Sequence, residues 1–102
     1  MTLQQLKYLL AIVDNGINIT AAAERLYTSQ PGISKQLKLL EQELNVQLFT
    51  RKGKSLNAIT PAGHDVLARA RKIMREVENI CRLSDPRQDA TFETPDDKVP
   101  TP

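Results

Sequence analysis

A mainly α fold, with four helices and one two-stranded hairpin, is predicted by three features of this 102-residue chain. Apolar residues recur every three or four positions in four separate segments, the spacing of one face of an α-helix. The chain is 40% hydrophobic but only 4% aromatic, with no Trp, so any core must be built from aliphatic side chains. A single stretch, "LFTRKGKSLNAI", departs from the helical period and reads as two short strands around a Lys-Gly-Lys tip. The length allows one small domain and little more.

The first helix is carried by Leu3, Leu6, Leu10 and Val13, with Leu9 beside them. It stops near Asn15-Gly16, a pair that accepts the left-handed conformation ending many helices. Asn18 can cap a second, short helix, "ITAAAERL", whose three alanines favour helix and leave almost no side-chain bulk. Tyr27-Thr28 is a brief connection. A third helix runs from about Gln30 to Leu44 with Ile33, Leu37, Leu40 and Leu44 as its buried stripe, and Asn45 stands where a left-handed residue is expected. After the hairpin, Thr60-Pro61 supplies a capping hydroxyl and then a proline at the first helical position. The fourth helix should run from there to about Leu83. The rest, "SDPRQDATFETPDDKVPTP", holds four of the six prolines and no apolar period, so residues 84–102 are expected to be a disordered acidic tail. The expected division is 1–60 for a domain of three helices and the hairpin, 61–83 for a linker helix and 84–102 for the tail.

The net charge of +2 hides an uneven distribution. Residues 1–60 hold seven Lys/Arg against four Asp/Glu, residues 61–83 five against three, and residues 84–102 two against five. A basic body with an acidic tail favours a polyanionic partner. The single cysteine, Cys81, excludes an intramolecular disulfide framework and fits a reducing compartment. No apolar run is long enough to span a membrane, and the first residues lack a secretory pattern, so a cytoplasmic protein with no membrane partner is expected. Cys81 and His64 lie seventeen positions apart on one helix, well over ~20 Å at ~1.5 Å per residue, and cannot form a dyad within one chain. Neither zinc-ligand spacing nor a phosphate-binding Gly-rich loop is present. The expectation is no enzyme, no catalytic residue, no metal and no cofactor.

Helix, tight turn, helix and basic hairpin is the plan of a winged helix-turn-helix, in which the third helix lies in the DNA major groove, N-terminal end toward the bases. That plan explains why Pro31-Gly32, a turn-like pair, sits in the first turn of the best helix. First-turn N–H groups have no intrahelical partner, so Pro loses nothing there. Gly32 costs ~1 kcal/mol of helix propensity relative to Ala and leaves the helix end slim enough for another backbone to approach. Ser29 or Thr28 can cap the helix, and its free N–H groups can meet a phosphate. With the apolar stripe inward, Ser34, Lys35 and Lys38 lie off it, and Gln30 sits at the tip. Gln can bond an adenine edge with two hydrogen bonds, Ser is a permissive partner, and Lys serves guanine or phosphate. In the hairpin, Arg51, Lys52 and Lys54 surround Gly53, whose freedom allows a narrow tip that could enter a minor groove or lie along phosphates. Each feature alone has a plainer explanation: a solvated helix face, ordinary helix propensity, a solvated loop. Their order and spacing together point to DNA.

The stretch "TAAAERLYTSQPGISKQLKLLEQELNVQLFTRKGKSLNAITPAGHDVL", within a match from about Leu3 to Leu83, resembles the N-terminal domain of the LysR-type transcriptional regulators. "LYTSQPGISKQ" with "LQQLKYL" is similar in particular to the CysB and Cbl branch, which controls sulfur assimilation. The resemblance implies a homodimeric winged helix-turn-helix with a long linker helix. It also implies DNA contacts at Thr28, Ser29, Gln30, Pro31, Ser34, Lys35, Lys38, Arg51 and Lys54. Asn45 stands where the family usually has Gly, and Leu39 where a polar or basic residue is common. The segment after Leu83 does not look like the beginning of the family's effector-binding domain, so that domain is expected to be absent from this chain.

Val66, Ala70, Ile73, Val77 and Ile80 form a heptad-like seam on the fourth helix, widened by Leu67, Met74 and Cys81. A helix this long with such a seam wants a partner helix, although packing on the first helix of the same chain would use part of it. Asp65–Arg69 and Glu78–Arg82 are i,i+4 pairs expected on the exposed face. The expected function is a sequence-specific regulator that binds an inverted repeat in double-stranded DNA as a homodimer, with a place in sulfur metabolism implied by the resemblance. The alternative is a short chain that pairs with a full-length regulator through the same helix.

Overall fold

A computed structural model describes residues 1–83. The acidic tail expected over 84–102 lies outside the described residues. The elements are α1 (Leu3–Asp14), α2 (Ile19–Arg25), α3 (Gln30–Leu44), β1 (Phe49–Lys52), β2 (Ser55–Ile59) and α4 (Pro61–Arg82). This is the winged helix-turn-helix plan expected from the sequence.

Each helix starts on a side-chain cap. Thr2 and Gln5 form a reciprocal capping box on α1, while Asn18, Ser29 and Thr60 accept N–H groups of Ala21, Gly32 and Gly63. Such caps stabilise a helix by ~1 kcal/mol each because they satisfy donors that have no intrahelical partner. The helix ends are equally specific. Asn45 is left-handed, as expected, and Val46 N–H reaches Glu41 O while Asn45 N–H reaches Gln42 O, the paired bonds of a Schellman motif. The end of α2 is built the same way, with Thr28 N–H on Ala23 O and Tyr27 N–H on Glu24 O. There the left-handed position is occupied by Tyr27, at φ +55°.

The core joins Leu9 and Ile12 of α1, Ala22 and Ala23 of α2, Ile33, Leu37 and Leu40 of α3, Leu48 and Phe49 at the root of the wing, and Leu67 of α4. It is aliphatic apart from Phe49, as composition requires. On α1 the buried face is Gln5, Leu6, Leu9 and Ile12; Leu3 is exposed, and Leu10 and Val13 only flank the core. The expected stripe is therefore corrected by rotation about the helix axis. α1 meets α2, α3 and α4 together, and Leu9 and Ile12 point at their junction. Burying one Leu, Ile or Phe stabilises by about 1.5–3 kcal/mol, whereas a solvent-exposed ion pair contributes about 0–1 kcal/mol. The core therefore outweighs the three ion pairs found among the described residues: Met1 ammonium–Glu43, Arg51–Glu41 and Arg71–Asp14.

The last of these joins α4 to α1, whereas the pairs expected along α4 are absent. Neither Asp65–Arg69 nor Glu78–Arg82 forms. Arg71 instead donates to Asp14 on α1 at 2.8 Å, and Arg82 reaches Asn79. Exposed i,i+4 pairs contribute only a few tenths of a kcal/mol, too little to hold the expected pairs together. The hydrogen bond to Asp14 pushes the Arg71 guanidinium further up.

β1 and β2 pair antiparallel with Phe49 opposite Ile59 and Lys52 opposite Ser55, and the register shifts between Thr50 and Arg51. Asn57 is the extra residue. This bulge lets Leu56 and Ile59, three positions apart, both pack toward the core, which a regular two-residue period forbids. Thr60 then ties the hairpin to its root: its N–H donates to Leu48 O at 3.1 Å and its hydroxyl to Gln47 O at 2.6 Å. Gly63, in the first turn of α4, passes so close that a Cβ there would lie 2.2 Å from the Leu48 carbonyl oxygen.

Candidate nucleic-acid interface

The tip of α3 is held by Ser29, whose hydroxyl accepts Gly32 N–H at 3.0 Å. Gly32, expected to keep the tip slim for an approaching backbone, has a nearer reason to be small: a Cβ there would sit 2.9 Å from the Ser29 hydroxyl oxygen. Of the two capping candidates the structure uses Ser29, and Thr28 stays exposed beside it. Pro31 is exposed in the first turn, where its missing N–H costs nothing.

Gln30 donates from Nε2 to the Ser34 hydroxyl at 3.0 Å, one helical turn along. The two polar side chains singled out for base contact are thus joined. The bond uses one amide hydrogen and leaves Gln30 Oε1 and the second N–H available. Lys35 and Lys38 are exposed further along α3. Ala22 and Ala23, completely or almost completely buried, allow α2 to lie closely against α3 and set the angle at which this tip projects.

Gln30 also lines an open cleft of about 410 Å³ with Lys54, Ser55 and Leu56 of the wing and Gly16–Thr20 at the start of α2. Helix tip and wing, 24 positions apart in sequence, therefore share one concavity. Lys38 lies apart from it, in a groove with Glu41, Gln42, Asn45, Val46 and Gln47. The three wing cations also separate. Lys52 and Lys54 are exposed and enter no ion pair among the described residues, whereas Arg51 donates to Glu41 at 3.2 Å.

Three residues at this surface were not singled out from the sequence. Thr20 and Ser55 line the cleft; Thr20, just after the Asn18 cap, is the kind of residue that a helix-start pattern could have marked. Tyr27 is 97% exposed at the corner between α2 and α3. Nothing in its residue type signals a left-handed position. His64 is exposed, and among the described residues no group of three or more His, Cys, Asp or Glu converges as a metal site. No helix among them is long and apolar enough to cross a membrane.

A family model described as bacterial regulatory helix-turn-helix protein, lysR family, matches residues 3–64. The chain belongs to the lysR family. It is 46% identical over 85 residues to the HTH-type transcriptional regulator CysB of Haemophilus influenzae, covering 83% of this chain and 26% of that one. Against the regulator Cbl of Klebsiella aerogenes the identity is 40% over 85 residues, with 83% and 27% covered. This lysR-family chain thus spans about a quarter of the length of these curated relatives. Its fold is similar to that of the BenM DNA-binding domain in complex with catB site 1 DNA (TM-score 0.79, 29% identity, 93% of this chain and 100% of that one). A complex of the CbnR DNA-binding domain with DNA is similar too (TM-score 0.71, 39% identity, 90% and 100% covered).

The dimer seam expected on α4 is split by the fold. Leu67 and Ala70 are 6% and 1% exposed, turned inward within the same chain, while Val66 is partly buried against the core. Ile73 and Ile80 face outward, 37% and 65% exposed, while Val77 is half-buried. Val77 and Met74 line a groove with Leu3, Gln4, Lys7, Tyr8 and Leu26. Cys81, expected as a small apolar member of the seam, is exposed near the end of α4; the neighbouring elements that bury Leu67 and Ala70 do not extend that far.

Proposed function

We propose that this chain binds double-stranded DNA in a sequence-dependent way, as a transcriptional regulator acting as a homodimer on an inverted repeat. The observation that carries the reading is the shared cleft: the tip of α3, with Gln30 bonded to Ser34, and the wing, with Lys54, converge on one concavity. The tip enters the major groove, where Gln30 and Ser34 meet base edges. Thr28, Ser29, Pro31, Lys35 and Lys38 seat the helix against sugar and phosphate, with Thr20 and Ser55 adding hydroxyl donors on the cleft. Lys52 and Lys54 extend the wing along the backbone or into the minor groove. The DNA complexes of the BenM and CbnR domains support this reading, and the CysB and Cbl relatives support a place in sulfur metabolism.

Residues 1–60 are the DNA-binding unit in this proposal and residues 61–83 the dimerisation helix. Val66, Ala70, Ile73, Val77 and Ile80 define its seam, but Ala70 acts from within, by packing α4 on its own chain. Ile73, Val77 and Ile80 meet the partner helix, which runs antiparallel. Selection from a randomised duplex pool tests the proposal: the protein should enrich two copies of one short motif in inverted orientation. Enrichment of no sequence over the starting pool would remove sequence-dependent binding. Enrichment of single, unrepeated motifs would remove the dimer.

A further inference from the structure

Glu41 lies in the last turn of α3 and uses its two carboxylate oxygens separately. Oε2 accepts Leu48 N–H at 2.7 Å, at the root of the wing, and Oε1 accepts Arg51 Nη2–H at 3.2 Å. The Glu41 side chain is only 11% exposed, against 41% for Arg51. Strand periodicity explains the meeting. Phe49 and Arg51 are two apart and share a face of β1, and Phe49 is wholly buried, so Arg51 is turned toward the body. Lys52 belongs to the opposite face, and Lys54 follows the tip.

We infer that Glu41 is a positioning residue that sets the salt dependence of binding: it holds Arg51 against α3, cancels that one wing charge, and leaves Lys52 and Lys54 to meet phosphate. The inference rests on the DNA-binding reading and revises the role expected of Arg51. Salt-dependent affinity, common to all sequences, grows with the number of phosphates neutralised. An arginine already paired with a mostly buried carboxylate neutralises none. The clasp therefore trims the affinity of every duplex by a similar factor, lowers its salt dependence, and leaves the base contacts of Gln30 and Ser34 untouched. Through Leu48 N–H the same carboxylate also fixes the root of the wing to the helix whose tip reads the bases.

Salt titrations on a scrambled duplex test this, with the unaltered chain, Glu41→Gln and Glu41→Gln/Arg51→Gln. The amide oxygen of Gln still accepts Leu48 N–H, so Glu41→Gln removes the charge and keeps the anchor. Freed Arg51 should then steepen the plot of log affinity against log salt by about 0.9, the value of one phosphate. It should also tighten binding to the scrambled and the selected duplex by similar factors. The charge-neutral double variant should return to the unaltered slope. A double variant flatter than the unaltered chain by about 0.9 would mean that Arg51 sits on phosphate throughout, and would overturn the inference. Three equal slopes would overturn it as well. If Glu41→Gln does not fold, the double variant against the unaltered chain decides alone. Absence of binding by the unaltered chain to any duplex would instead strike the DNA-binding reading, and this inference with it.

Discussion

Gln30 and Lys54 share a cleft but are assigned different work, and a pair of substitutions separates the roles. Gln30→Ala should cost about 1–3 kcal/mol on the selected site and little on scrambled DNA, with the salt slope nearly unchanged. Lys54→Ala should weaken both duplexes by similar factors and flatten the slope by roughly 0.9 for one lost phosphate contact. Equal losses on both duplexes for Gln30→Ala would remove Gln30 as a reader. Tyr27 makes a different point at this scale. A bulky residue in the left-handed region costs roughly 1–2 kcal/mol, and a side chain 97% exposed recovers little of that by packing. Tyr27→Asn should therefore raise stability by about 0.5–1 kcal/mol, since Asn tolerates this conformation, and thermal unfolding would register it. An unchanged or lower Tm would show that the Tyr27 ring contributes to the fold.

At the scale of elements, the junction of wing and α4 is the tightest point. Thr60 caps α4 and bonds Leu48 and Gln47, and Gly63 passes directly over the Leu48 carbonyl. Gly63→Ala should destabilise the chain by about 1–3 kcal/mol through overpacking, despite the better helix propensity of Ala. Denaturant unfolding measures this; a neutral result would mean that the root of the wing yields easily. The contrast with Gly32 is physical. At Gly32 an added Cβ meets a serine hydroxyl that can turn, at the cost of the cap, whereas at Gly63 it meets backbone tied by Thr60.

For the whole molecule, the outward half of α4 is the deciding surface. Ile73→Asp places a charge on the exposed seam while leaving Leu67 and Ala70 in their own core, so it should yield folded monomers where the unaltered chain sediments as a dimer at micromolar concentration. A monomeric unaltered chain at that concentration would exclude the proposed seam. A folded but still dimeric Ile73→Asp chain would move the interface elsewhere. The monomeric variant should also lose affinity for the inverted repeat far more than for a single half-site, because two weak contacts joined in one molecule bind as an intramolecular pair.

Helix starts, helix ends and the hairpin were readable in the residues because each depends on neighbours a few positions away. Asn18, Ser29, Thr60, Gly16 and Asn45 do their work within one turn of chain, and the period of Ile33, Leu37 and Leu40 marks a face before any partner is known. Tertiary structure decided what lies across the chain. It chose which side of α1 turns inward, since Leu6, Leu9 and Ile12 win only because three other helices converge there. It drew Arg71 to Asp14 and Arg51 to Glu41, and it divided the α4 seam into a buried half and an exposed half. It also gave Gly32 and Gly63 their reasons, a capping hydroxyl and a carbonyl oxygen. Local hydrogen bonding and periodicity are properties of sequence spacing; the choice among several available partners depends on distance in the folded chain.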